Sequence, residues 1–294
     1  MSTERWIFLF LACFLPVSAA SSPPKPLEKL ENCTFVPTVW ADGDSFRIKT
    51  ANGEEHTIRL YGADCIEWHV NDPTDERRLR AQRSHFGITN ASPNARESIE
   101  IAKNFGKAAA NEVVHALEKP FTVHTTYRNG NGDGKHPRIY AFVTTSTGAD
   151  LASELVSKGL ARAFGVCNPT PDGRTTDDYR ELLVDLELQT AKQGTGIWAR
   201  TDWNKLPNER QDQRREDELV NLAIAKNLPP ADFKLNPNNA ARDELMKLPG
   251  IGEEMANRII EKQPYEKPED LLEVTGIGLK KLEAIRPYLE FSRP

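Results

Sequence analysis

Two short runs hold the residues best suited to chemistry: Asp42-Gly43-Asp44, and Arg59 followed by Asp64, Cys65 and Glu67. Carboxylates are hard oxygen donors that suit Ca²⁺ or Mg²⁺. A guanidinium grips a phosphate through two parallel N–H bonds. Carboxylates at fixed offsets from an arginine therefore suit a divalent cation that holds a phosphate. A second feature lies far downstream, where Gly-Ile-Gly occurs twice, at residues 250–252 and 276–278. Glycines let a backbone approach a ligand closely, and a helix starting after such a turn offers free amides to a phosphate oxygen. Both features point to nucleic acid.

The elements that must position these residues show as patterns. Residues 34–40, 44–50 and 56–63 alternate apolar and polar side chains, and Asn52-Gly53 marks a hairpin between the second and third runs. Helical spacing is expected over residues 98–117, with Ile101, Phe105, Ala108, Val113 and Leu117 near one stripe. Residues 121–127 and 138–145 read as another strand pair, and residues 150–158 and 176–193 as helices. Five short strands with a helix after the third suit a closed β-barrel of the OB-fold type with α-helices, an α+β fold. Asn129-Gly130-Asn131-Gly132-Asp133-Gly134 resembles the start of an EF-hand loop, but Tyr140 stands where the loop needs Glu, so it reads as a turn.

A chain of 294 residues has room for two domains. Its formal net charge is −5, so contacts with nucleic acid must come from local patches and from metal, not from the overall field. Residues 6–17 are mostly apolar and are followed by small residues. The run is too short to span a bilayer and reads as a signal peptide over residues 1–20, which places the protein as secreted or periplasmic. Cleavage would leave Cys33, Cys65 and Cys167, an odd number that permits one disulfide and one free thiol. Residues 68–95 carry Arg77, Arg78, Arg80 and Arg83, which could track a DNA backbone or gate the cleft, or could belong to a solvated helix or mobile loop. Residues 201–232 are highly charged and read as a linker that is helical in part. Beyond them lies an internal repeat: residues 244–252 with Ile259 align with residues 270–278 with Ile285 at a constant offset of 26.

In order and spacing, Asp42-Gly43-Asp44, Arg59, Asp64, Glu67, Arg138, Lys158-Gly159-Leu160-Ala161 and Gly194-Thr195-Gly196-Ile197-Trp198 resemble the staphylococcal-nuclease (thermonuclease) family over residues 33–200. The resemblance implies a Ca²⁺-dependent phosphodiesterase on an OB barrel, with Mg²⁺ or Mn²⁺ as alternative cofactors. Asp44 and Asp64 would be metal ligands, with the backbone carbonyl of Cys65 as a third. Glu67 would orient or deprotonate the attacking water, and Arg59 and Arg138 would hold the scissile phosphate. Family members cleave DNA and RNA and leave 3′-phosphates. The resemblance departs at Cys65-Ile66, where the family usually has Thr or Ala and then Pro, and at His136, where it has a base-stacking tyrosine.

Residues 233–292 resemble the tandem helix-hairpin-helix module of bacterial DNA-receptor and repair proteins, a small all-α domain. The implied contacts are Gly250, Gly252, Gly276, Gly278, Lys280 and Lys281, and they would be independent of base sequence. Glu253-Glu254 follow the first turn and Leu279-Lys280-Lys281 the second, so the second turn is expected to hold DNA and the first to bind weakly or to pack. The expectation is an exported, metal-dependent nuclease with a tethered DNA-binding module, which raises the local concentration of DNA. The alternative is a non-catalytic DNA-binding or DNA-uptake protein. No protein partner is implied, and no membrane contact after cleavage.

Overall fold

Three strands open the fold: β1 (Glu28–Val36), β2 (Ser45–Lys49) and β3 (Glu55–Leu60). They were placed in a computed structural model that describes residues 26–71, 73–130, 137–226, 229–230 and 232–291. The expected signal peptide, His136 and the Asn131–Gly134 part of the EF-hand-like turn lie outside the described residues. The three strands pair antiparallel, with Thr34 opposite Lys49 and Ser45 opposite Arg59. Alternation along the pleat buries Phe46, Ile48 and Ile58. The first strand begins earlier than residues 34–40 suggest. Leu30 pairs with Val123 and holds that end in the sheet, whereas Val39, past the strand, is 90% exposed.

A short strand β4 (Ala63–Cys65) leads to helices α1 (Pro73–Phe86) and α2 (Ala95–Ala116). Residues 68–95, for which a solvated helix or mobile loop is one expectation and a segment that tracks DNA or gates the cleft the other, contain a helix that is not merely solvated: Leu79 and Phe86 anchor it in a core with Ile66, Trp198 and Leu206. Asn94 caps α2 by accepting from the amides of Arg96 and Glu97. The buried stripe of α2 is Ser98, Ala102, Gly106, Ala109 and Val113, one position round from the expected one at Ile101, Phe105 and Ala108. Small residues face inward because the backbone carbonyl of Ile66 and the Gly43 turn press against this helix.

Strands β5 (Phe121–Asn129) and β6 (Ile139–Thr144) complete the barrel. Its order is β1-β2-β3-β6-β5, with β3 and β6 parallel and β5 closing antiparallel on β1. A closed barrel leaves no sheet edge unpaired. Helix α3 (Leu151–Ser157), strand β7 (Ala161–Ala163) and helix α4 (Thr176–Gln193) follow, and β7 pairs antiparallel with β4 in a separate two-stranded sheet. α4 starts with a reciprocal Thr175–Asp178 capping box and ends at Gly194 in the left-handed region. The expected linker holds a further helix, α5 (Leu206–Lys226), fixed to α1 by Arg210 Nε donating to the His85 carbonyl at 3.0 Å and by an Arg80–Glu216 pair at 2.6 Å.

The C-terminal module contains α6 (Arg242–Leu245), α7 (Glu253–Glu261) and α8 (Leu279–Ile285) with two 3₁₀ segments. The sequence repeat is a repeat of core positions: Leu245 and Leu271, Leu248 and Val274, Ile251 and Ile277, Ile259 and Ile285 are all buried. Gly250 and Gly276 have φ of 71° and 97°, a region an L side chain rarely enters, which explains glycine at that place in each turn. Cys33, Cys65 and Cys167 are all free buried thiols, so the disulfide allowed by their number is absent among the described residues. Each is packed apart from the others: Cys33 donates to the Leu30 carbonyl, Cys65 lies against Gly43, and Cys167 against Gly62.

Candidate active site

Asp42-Gly43-Asp44 forms a tight turn at the entry to β2, with Asp42 Oδ1 accepting from the Ser45 amide at 2.7 Å. A Cβ on Gly43 would lie 2.6 Å from Ala109 Cβ and 2.6 Å from Cys65 Sγ, so glycine is what lets the turn sit against α2 and the β4 loop. That approach brings Asp44 to the second motif. Asp44 Oδ2 accepts from the Cys65 amide at 2.9 Å, 21 residues away, and Oδ1 from the Ser45 hydroxyl at 2.8 Å.

Arg59 lies opposite Ser45 in the β2–β3 register, and its guanidinium sits between the two aspartates, 3.8 Å from Asp44 Oδ1 and 3.4 Å from Asp64 Oδ1. The pleat turns it away from Ile58 and Leu60, yet it is still only 5% exposed. Asp64 pairs with Arg162 across the β4–β7 sheet, and Arg162 Nε donates to its Oδ2 at 2.8 Å. Arg138 reaches the same place from the end of β6, with Nη1 3.5 Å from Ser45 Oγ. The structure therefore brings Asp44, Arg59, Asp64, Cys65, Glu67 and Arg138 together.

Three further residues belong to this set. Gln82 of α1, fully buried, donates through Nε2 to Asp64 Oδ2 at 2.9 Å and to the Cys65 carbonyl at 2.7 Å, while its Oε1 accepts from the Glu67 amide at 2.8 Å. One side chain thus holds the whole 64–67 loop, whose other side rests on Gly106 of α2. Arg78, one helical turn before Gln82, places Nη1 3.4 Å from Glu67 Oε1. Arg162 is the third. In the sequence Arg78 stands out only as one of four arginines in residues 68–95, and neither Gln82 nor Arg162 stands out at all. The available signal was position: Gln82 lies on the apolar stripe of Leu79 and Phe86, where a polar group needs a partner.

The electrostatics follow from burial and crowding. Burial opposes ionisation of Asp64, but Arg162, then Arg59 and the Gln82 bond, pull its carboxyl down to about 2. Burial pushes Glu67 up to about 7; Arg78 works against this, and Asp44 and Asp64 add to it. Asp42 is held well above the usual range by burial, then by Asp44 and Glu67. Several carboxylates thus raise one another, and hard oxygen donors crowded in this way fit a divalent cation. Among the described residues no group of three or more His, Cys, Asp or Glu side chains is placed to hold a metal ion.

The hairpin residues lie apart from this set, on the C-terminal module. Gly250, Gly252 and Lys281 line a cleft against the barrel domain. Lys280 is exposed, whereas Lys281 turns back so that Nζ lies 3.4 Å from Met255 Sδ. The two acids after the first turn are engaged within the module, Glu253 with Arg242 at 2.8 Å and Glu254 with Arg258. The module is fastened to the barrel domain by Glu261, whose Oε1 accepts from the Cys167 amide at 2.9 Å and from Arg180 Nη2 at 2.7 Å.

Comparison with known proteins agrees with this layout. Residues 57–200 match the staphylococcal nuclease homologue family, and residues 232–290 match the helix-hairpin-helix motif. A stretch of 57 residues is 44% identical to endonuclease/exonuclease/phosphatase family domain-containing protein 1 of Danio rerio. It is 42% identical to the proteins of that name from Mus musculus and Homo sapiens. The match covers 18% of this chain and 10% of each relative, so the chain spans about a tenth of the length of the curated relatives it matches. The closed barrel, the residues gathered at its mouth and the paired hairpins lead to one conclusion: the chain carries a staphylococcal-nuclease-like domain followed by a helix-hairpin-helix module.

Proposed function

We propose that this protein is an exported, divalent-metal-dependent nuclease that hydrolyses phosphodiester bonds of DNA, with RNA as a second substrate, and leaves 3′-phosphate ends. The observation that carries the reading is Arg59 between Asp44 and Asp64, beside a glutamate raised to about 7. Export is supported by the apolar N-terminal run alone.

A phosphodiester resists attack because its anionic oxygens repel a nucleophile. Asp44, Asp64 and the Cys65 carbonyl would hold the ion, with Ca²⁺ the expected species, and the ion would neutralise charge on the phosphate. Arg59 and Arg138 bind the phosphate oxygens and oppose the charge that grows on them. Glu67 accepts the proton of the attacking water. A general base works best with a pKa near the working pH, and burial gives Glu67 that property. Gln82 and Arg78 orient the base from its amide and its carboxylate side. The hairpin module contacts the DNA backbone without regard to sequence, chiefly through the second turn and Lys280.

Digestion of plasmid DNA by the full chain in Ca²⁺, in Mg²⁺ and in EGTA, with the product ends typed, tests the reading. Cutting in Ca²⁺ that stops in EGTA and leaves 3′-phosphates is the expected result. DNA retention without cutting in any metal would assign the protein to the binding or uptake class instead.

A further inference from the structure

α1, α5 and the first hairpin enclose a cleft of about 860 Å³. Arg77 and Arg78 of α1, Arg162 of β7, Arg210 and Arg214 of α5 and Arg242 of α6 line it. With Arg258 and Lys281, cationic side chains outnumber carboxylates eight to five, in a chain whose net charge is −5. The five carboxylates are Asp217, Glu218, Asp243, Glu253 and Glu254, and the last two are committed to Arg242 and Arg258. Arg77 and Arg214 make no ion pair among the described residues.

Two donors in this cleft are unsatisfied. Arg78 Nη2 and Arg242 Nε are buried and have no hydrogen-bond partner. Both face Asp243 Oδ1, at 4.0 and 3.6 Å, too far for a hydrogen bond. Buried donors of this kind call for an acceptor, and a phosphate oxygen is one. Phe164 adds ring surface to the wall, with the Arg162 guanidinium over one face at 4.1 Å and the other face left for a base to stack on.

The cleft also borders the candidate catalytic residues through two arginines of its lining. Arg162 bonds Asp64 at 2.8 Å and Arg78 reaches Glu67 at 3.4 Å, so two of its walls are the outer partners of the active-site carboxylates. Those carboxylates are deep: Asp44, Asp64 and Glu67 are 3%, 3% and 8% exposed. A cleft in the size range of a small-ligand pocket has room for a few nucleotides of one strand and none for a duplex.

We propose that this cleft binds a single strand of nucleic acid, with its phosphates on Arg77, Arg78 and Arg214 and its bases against Phe164, and delivers it to the active site. The destination rests on the nuclease reading above; the binding does not. The test is fluorescence anisotropy in EGTA, where nothing is cut, with a fluorescein-labelled oligothymidylate and a duplex of equal length. The probes are compared on the full chain and on Arg77→Glu with Arg214→Glu, two side chains outside the catalytic set.

Single-strand affinity falls about tenfold, and its salt slope becomes shallower by about 1.4, two contacts at about 0.7 each. Duplex affinity changes far less, because the second hairpin is untouched. Asp217→Asn, which removes one of the opposing charges, strengthens single-strand binding. Equal losses for both probes, or no loss for the single strand, overturn the proposal. A protein that binds the strand in this pattern but never cuts keeps the cleft and loses the nuclease reading. One that cuts yet ignores the arginine changes loses only the cleft.

Discussion

Gln82 donates to the Cys65 carbonyl at 2.7 Å, which fixes that oxygen's orientation and leaves its second lone pair available. The same side chain carries Asp64 and the Glu67 amide, so the loop that ends in the candidate base is held from a helix, not by its own backbone.

Gln82→Glu keeps the size of this side chain and removes both donors, setting a carboxylate against Asp64 and a carbonyl. Stability should drop by about 1–3 kcal/mol, the cost of buried groups left unsatisfied. The concentration of Ca²⁺ needed for half-maximal cleavage should also shift. Urea titration and a metal titration of initial rate measure the two effects, and unchanged metal dependence at reduced stability would reduce Gln82 to a packing role.

Gly43→Ala places a methyl group 2.6 Å from both Ala109 Cβ and Cys65 Sγ. Overpacking of this kind costs about 1–3 kcal/mol. The turn must move away from Cys65, so Asp44 loses its bond to the Cys65 amide and cleavage falls with stability. A variant as stable as the parent would show that α2 yields at no cost.

Asp44→Asn tests the charge while keeping the shape. Cleavage should fall on the order of 10²-fold or more, the usual scale for losing one charge contact at a reacting phosphate. Thermal melting supplies the second measurement. An ion at 100 times its dissociation constant stabilises the parent by about 2.7 kcal/mol, so Ca²⁺ should raise its melting temperature and EGTA reverse this. The variant should show little of either response.

Lys280→Glu and Lys281→Glu should part company. Lys280 is exposed, so its reversal should weaken DNA retention, make the salt slope shallower by about 0.9 and leave the rate at saturating DNA unchanged. Lys281 packs on Met255, so its reversal should destabilise the hairpin module as well. Gel retardation at several salt concentrations, with melting curves, separates the two.

Burial raises all three described thiols, Cys33 to about 11, Cys167 to about 12 and Cys65 well above its ordinary value. A folded pKa above the unfolded one favours folding fully below the unfolded value of 9.0, and the contribution is lost as pH rises through the folded value. The thiol contribution to stability should therefore be constant up to about pH 9 and decline above it. Urea midpoints across that range test the slope, and rapid labelling of native protein by a thiol reagent at neutral pH would contradict the burial.

The barrel was legible because strand alternation and the Asn52-Gly53 turn carry their own local signals. The spacing from Asp44 to Glu67 could likewise be read, because one turn and one hairpin bring those residues together. β1 was harder to place: Thr34 to Val36 pair with β2, but Leu30 joins the sheet only through Val123, more than ninety residues on. Gln82 had no local signal beyond a polar letter on an apolar stripe, and its four arginine neighbours invited a reading of the whole segment as surface. Arg162 could be seen only through the β4–β7 pairing. Long-range partners of this kind are set by the closed fold.

The two halves of the hairpin module share one core pattern at an offset of 26 residues but not one surface. The first half carries Asp243 and Glu261, which face Arg78, Arg180 and the Cys167 amide of the barrel domain. The second half leaves Leu279 and Lys280 in solvent. In the proposed function a duplicated unit divides its labour: one copy is the joint, and the other would be the hand. Surface changes in the second copy can alter what is grasped without loosening how it is attached.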